Sequence, residues 1–256
     1  DDYEPSMTTA ELQTIIDGLK QELVPFIRQL QEDGTRPDTS FLAGTFPVSE
    51  QAQLSRDVLT AMTYDFDAGR IDETEHPFTT SLGAGDVRVT THYYERDLMS
   101  ALFSTMHEGG HGLYEQGISE EYHWMPLHRA ASMGVHESQS RTWENLVGRS
   151  EAFWRFYYPR LQGRFAQFRD VPVEDFYKAI NVVEPSLIRI EADEVTYNLH
   201  IMLRFEIEEA LINGRVQAAD LPGFWNAKMK EYLGVEPTDD AHGVMQDVHW
   251  AGGMFG

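Results

Sequence analysis

The sequence contains no cysteine. Disulfides, thiol nucleophiles and metal sites built on thiolates are excluded, so any catalytic metal must be held by His, Asp or Glu. Lysine is scarce as well, with only Lys20, Lys178, Lys228 and Lys230. Lys and Arg together number 20 against 42 Asp and Glu, a net charge of -22. A surface this poor in positive charge is ill suited to releasing counterions from phosphate, which argues against nucleic acid as a partner and equally against an anionic membrane. Apolar runs extend only a few residues, far below the roughly 20 that cross a bilayer. There is no basic stretch leading into an apolar leader, and the chain opens on Asp1-Asp2-Tyr3 without an initiator methionine. The expectation is a processed piece acting in the cytoplasm. No internal repeat or low-complexity tract interrupts it.

What remains is a 256-residue chain, 41% hydrophobic, sufficient for one substantial core. Leu12, Ile15, Ile16, Leu19, Leu23, Phe26, Ile27 and Leu30 follow the spacing of one buried helical face. Thr8 and Glu11 form a capping box before them, Gly34 closes the segment, and Pro25 is expected to kink or divide it. A second helix is predicted from about Ser49 to Gly69, with Leu54, Val58, Leu59, Met62 and Phe66 in register. Thr-rich and β-branched residues between Phe78 and Tyr94, broken by Gly83-Ala84-Gly85-Asp86, read as a short hairpin. Helices are then expected over Met99 to Gly117, Met133 to about Gln162, Val173 to Val182, Ser186 to Asn213 and Leu221 to Leu233. One mainly α-helical domain fits this order.

The fourth element carries His107-Glu108-Gly109-Gly110-His111, an H-E-x-x-H arrangement. Residues four apart share a helical face, so both imidazoles can reach one ion while Glu108 projects toward a water in its open position. Nitrogen donors suit zinc, and a neighbouring carboxylate can take the proton of that water. Two surface histidines beside a solvated glutamate would give the same letters. Adjacent glycines inside a helix cost about 1 kcal/mol each relative to alanine, which makes sense if another backbone or the substrate approaches there. A third ligand must come from elsewhere, and His136-Glu137-Ser138 is the next strong segment. Neighbouring helical positions point about 100° apart, so only one of His136 and Glu137 can face the ion.

These segments resemble the M32 family of metallocarboxypeptidases, whose namesake is the Taq carboxypeptidase. Five family signatures occur in order: Asp86-Val87-Arg88-Val89-Thr90, the H-E-x-x-H at His107, the H-E-S at His136, Ile188-Arg189-Ile190-Glu191-Ala192-Asp193, and Gly243-Val244-Met245-Gln246-Asp247-Val248-His249-Trp250. The resemblance implies a mainly α fold, a long-helix bundle around a metal cleft of the gluzincin, neurolysin-like type with a small β-hairpin. It implies that His107, His111 and Glu137 bind zinc, with cobalt as the alternative metal, and that Glu108 is the general base. The implied activity is release of single residues from peptide C termini with broad specificity, so the expected partners are peptides with a free C terminus; a homodimer is allowed for.

Recognition of a terminal carboxylate favours a guanidinium, and Arg189 is the first choice, ahead of Arg88 and Arg141. An i, i+4 pair of Arg189 with Asp193 on an exposed helix is the competing reading. Gln246 and His249 are candidates for substrate or oxyanion contact, Asp193 and Asp247 for holding a ligand imidazole, and Trp250 for packing. Family members are about twice as long, and this chain stops at Met254-Phe255-Gly256. Residues 1–256 are therefore expected to be a single catalytic domain lacking N- and C-terminal parts of the full family chain. Two rival functions stand beside a carboxypeptidase: an inactive core serving as a metal-binding or oligomerisation module, and an endopeptidase of the thimet-oligopeptidase or angiotensin-converting-enzyme type.

Overall fold

The structure is a computed structural model that describes residues 4–83, 85–247 and 249–250. Ala84 of the expected hairpin turn, Val248 of the fifth signature and the Met254-Phe255-Gly256 end lie outside the described residues. In chain order the elements are helices α1 (Thr9–Asp33) and α2 (Val48–Ala61), strands β1 (Gly69–Glu73), β2 (Thr79–Ser81) and β3 (Val87–Thr91), then helices α3 (Leu98–Gln116), α4 (Met133–Arg141), α5 (Glu151–Arg164), α6 (Val173–Ile180), α7 (Thr196–Ile212) and α8 (Leu221–Leu233). The class is mainly α with a small sheet. No helix of the described residues is long and apolar enough to cross a membrane.

Local chemistry explains most element ends. Thr8 and Glu11 form the reciprocal capping box of α1, and Gly34 caps its end. Pro25 lies inside that helix without dividing it, so of the two expected outcomes, a kink or a division, the division does not occur. The second helix ends at Ala61 rather than near Gly69, because Thr63 adopts φ 71°, a left-handed conformation incompatible with continuing the spiral. Phe66 is thus outside it. The expected hairpin is the antiparallel pair of β2 and β3, but β1 adds a third strand parallel to β3, giving the order β1-β3-β2. Its short, polar sequence gives little periodic signal.

Two long predicted helices are broken. The segment from Met133 passes from α4 into a wider π turn over Thr142–Val147, and a new helix starts after Ser150, whose hydroxyl accepts the amide of Phe153. The segment from Ser186 contains only a single 3₁₀ turn, Arg189–Glu191, before α7. Asp193 stands ahead of α7 and accepts from the amides of Val195 and Thr196 and from the Thr196 hydroxyl. Arg189 and Asp193 are therefore not a pair on one helical face.

The chain divides into two compact units. Among the described residues, Glu4, Pro5 and Pro37–Ile180 form the first; Ser6–Arg36 and the segment from Asn181 form the second. The first packs α2, α3, α5 and α6 around Leu54, Val58, Leu59, Leu102, Met106, Trp154, Tyr157 and Phe176. The second buries Ile16, Ile27, Leu199, Leu203, Trp225, Met229 and Leu233 from α1, α7 and α8. Trp250 packs against this second core, edge-on to Trp225 at 5.8 Å between ring centres.

In the first unit Ser132 is the N-cap of α4: its hydroxyl accepts from Val135 N–H at 3.0 Å and donates to Glu4 at 3.0 Å. Ser132→Ala is expected to lower stability by about 1 kcal/mol, read as a lower urea midpoint at unchanged m-value. A midpoint equal to wild type would show that the cap contributes nothing.

Candidate metal centre

The helix α3 brings both histidines to one side. Asp97 accepts the amide of Ser100 and starts it, and Leu98, Leu102 and Met106 anchor its apolar face in the first core. The glycines of the motif answer a steric need. A Cβ on Gly109 would lie 2.5 Å from Leu59 on α2, and one on Gly110 would lie 2.6 Å from the Cα of Ser140 and 2.7 Å from the carbonyl oxygen of Gln139 on α4. At Gly110 a backbone is in the way, and no rotamer can relieve that clash. The contact lets α4 lie close enough for Glu137 to meet the α3 histidines.

Ligand atoms of His107, His111 and Glu137 all fall within 4.8 Å of one another. Glu137 Oε2 is 3.6 Å from His107 Nε2 and 3.3 Å from His111 Nε2. The other ring nitrogens have separate partners. His107 Nδ1 is 2.8 Å from Glu144 Oε2, and His111 Nδ1 is 2.6 Å from His136 Nδ1. His136 thus lies on the far side of His111 and is not one of the three. Arg141 donates from Nε to Glu137 Oε1 and from a terminal nitrogen to Glu144 Oε2, each at 3.0 Å. One guanidinium therefore orients both the third donor and the carboxylate behind the first.

Electrostatics keep the carboxylates ionised. Burial pushes Glu137 up, but the His111 hydrogen bond and the charges of His107 and Arg141 outweigh it and hold the group at about 2. Glu144 is lowered in the same way, burial being outweighed by its hydrogen bond to His107 and by Arg141. Two imidazole nitrogens and one ionised carboxylate oxygen form a donor set suited to a divalent cation, and three protein ligands leave a coordination position for other chemistry. The residues therefore fit the metal that the motif implies.

Glu108 is only 7% exposed. The Thr79 hydroxyl on β2 lies 2.7 Å from its Oε2 and 3.0 Å from its backbone oxygen, so the sheet edge sets the direction of this carboxylate. Thr79, Glu144 and Glu115 were not anticipated from sequence. They stand 29 residues before Glu108, 37 after His107 and 21 before His136, and such separations leave no periodic trace.

Each of the expected substrate contacts has a partner within its own unit. Arg88 on β3 is paired through two nitrogens with Asp86 at 2.8 Å. Arg189, Gln246 and His249 belong to the second unit. There Arg189 donates to the Tyr197 phenol at 2.8 Å, Gln246 donates to the carbonyl of Ala241, and the backbone N–H of His249 is held by Asp247 at 3.0 Å. Asp193 accepts from the amide of Thr196 at the start of α7, and Asp247 pairs with Arg204. Glu144 and His136 stand beside the imidazoles of His107 and His111.

Known proteins share this arrangement of elements. The chain is 52% identical over its full length to thermostable carboxypeptidase 1 of Thermus thermophilus and 49% identical over 99% of its length to carboxypeptidase 1 of Bacillus subtilis. It covers 50% and 51% of those proteins, so it spans about half the length of the curated relatives it matches. A crystal structure of the M32 carboxypeptidase from Deinococcus radiodurans superposes with a TM-score of 0.94 at 43% identity, covering 97% of this chain and 50% of that one. A family model for the Carboxypeptidase Taq (M32) metallopeptidases matches residues 1–256 from end to end. With that match over the whole chain and identities near one half, the chain belongs to the M32 metallopeptidase family.

Proposed function

We propose that this chain is the metal-binding catalytic part of a zinc carboxypeptidase that releases single residues from peptide C termini, with cobalt able to replace zinc. The observation that carries the reading is the convergence of His107 Nε2, His111 Nε2 and Glu137 Oε2 beside the buried Glu108. When bound, the metal supplies Lewis-acid polarisation of the scissile carbonyl and lowers the pKa of water.

The chain's own residues do the rest. His107, His111 and Glu137 are the ligands in this reading. Glu108 keeps Oε2 engaged by Thr79 and has Oε1 for proton transfer: it takes the proton of the attacking water and passes it to the leaving amine. Arg189 is assigned to the terminal carboxylate of the substrate, with Arg88, Gln246 and His249 as further substrate contacts. The two units together are read as one catalytic domain, working in the cytoplasm and able to pair as a homodimer.

The test is metal content and product release on the same preparation. One zinc per chain with stepwise loss of C-terminal residues from a blocked peptide is expected. Internal cuts would point to an oligopeptidase, and stoichiometric zinc without release would leave a metal-binding module. Arg189→Ala is expected to lower kcat/KM roughly 100-fold on free-acid substrates and little on their C-terminal amides, as for loss of one partner of a hydrogen-bonded charge pair. An equal loss on both would make Arg189 structural.

A further inference from the structure

The two ring nitrogens of His111 face different neighbours. Nε2 looks into the His107, His111, Glu137 group. Nδ1 meets His136 Nδ1 at 2.6 Å, and His136 Nε2 in turn lies 2.9 Å from Glu115 Oε1. The Tyr114 ring stands edge-on to His136 with centres 5.0 Å apart, which restrains the imidazole. All three side chains in the series are mostly buried.

Two neutral imidazole nitrogens at this distance need one proton between them, so one donates and the other accepts. If His111 Nε2 is to offer its lone pair to a cation, the ring's proton resides on Nδ1 and is donated to His136. His136 Nδ1 is then the acceptor, and its own proton sits on Nε2, aimed at a carboxylate that can only accept. The opposite direction fails twice: it turns the lone pair of His136 Nε2 against those of Glu115, and it puts the His111 proton on Nε2.

We propose that Glu115 and His136 are positioning residues that act through His111, a one-way chain of hydrogen bonds locking the tautomer whose Nε2 can ligate. This rests on the metal reading above and deepens it. The two histidines are thereby oriented by different means. His107 meets its carboxylate, Glu144, directly, whereas Glu115 reaches His111 through a neutral ring. The relay also joins α3 to α4, the two helices that must stay in register for Glu137 to meet the histidines.

The test uses the 256-residue chain and zinc affinity from chelator competition. Glu115→Gln is nearly isosteric, but its amide can turn a donor toward His136 Nε2 and admit the wrong tautomer. We expect roughly 10-fold weaker zinc binding for Glu115→Gln and roughly 10- to 100-fold for His136→Gln, the range for groups that orient a metal-bound histidine. The double variant should bind no more weakly than His136→Gln alone, because Glu115 acts only through His136. Long-range ¹H–¹⁵N spectra of the zinc-loaded wild type, which need no variant to fold, should show His136 protonated at Nε2. Unchanged affinities, additive losses in the double variant, or a bare His136 Nε2 overturn the relay and leave the metal reading standing. Failure of the wild-type chain to take up zinc overturns both.

Discussion

Glu108→Gln should leave zinc bound at one ion per chain while lowering turnover by about 1,000-fold or more, the scale on which general bases contribute. The reason is local. Glu108 is not among the three converging donors, and the Thr79 hydroxyl that holds its Oε2 at 2.7 Å can donate equally well to an amide oxygen. Size and orientation are therefore preserved, while the negative charge and with it the capacity to take a proton are lost. Metal stoichiometry, thermal midpoint and turnover measured on one preparation decide the matter. A variant that retains most of its kcat would remove Glu108 from proton transfer. One that loses zinc with its activity would show that the carboxylate supports the metal instead.

Gly110→Ala is the second change with a large expected effect, and its target is the geometry rather than the chemistry. The added Cβ would fall 2.6 Å from the Cα of Ser140 and 2.7 Å from the Gln139 carbonyl oxygen. Those are backbone atoms, so the relief available is to move α4 away from α3. Overpacking of this kind costs about 1–3 kcal/mol, and here it also withdraws Glu137 from the histidines. We expect both a lower denaturation midpoint and weaker zinc binding. Gly163→Ala provides the opposite sign: the new Cβ meets nothing within 4 Å in the exposed last turn of α5, so it should stabilise by up to about 1 kcal/mol through helix propensity. Equal behaviour of the two variants would refute the close-approach explanation.

Features governed by neighbours three or four residues apart were legible directly. The Thr8 and Glu11 capping box, the extent of α3 and α8, and the shared face of His107 and His111 depend on helical geometry alone. The M32 resemblance pointed further, to Glu137 as a ligand and to Arg189 as a substrate contact. Sequence and structure diverge where one unusual backbone angle or a local side-chain bond ends an apolar pattern. Thr63 stops α2 eight residues before Gly69 would have, with the helix ending at Ala61. Asp193 and the 3₁₀ turn at Arg189 delay α7 until Thr196. Apolar periodicity is a property of side chains and carries no record of the φ angle between them.

The absence of cysteine and the H-E-x-x-H spacing were enough to confine a metal to His, Asp and Glu and to set two histidines on one helical face. Which of His136 and Glu137 turns to meet them depends on packing, because the two point about 100° apart and the close approach of Gly110 to Ser140 helps to fix the roll of α4. The same packing brings Glu144, Arg141, Thr79 and the pair Glu115 and His136 around the centre. Hydrogen bonds between residues tens of positions apart depend on how elements stack. A linear pattern with periods of two or 3.6 carries no record of that stacking.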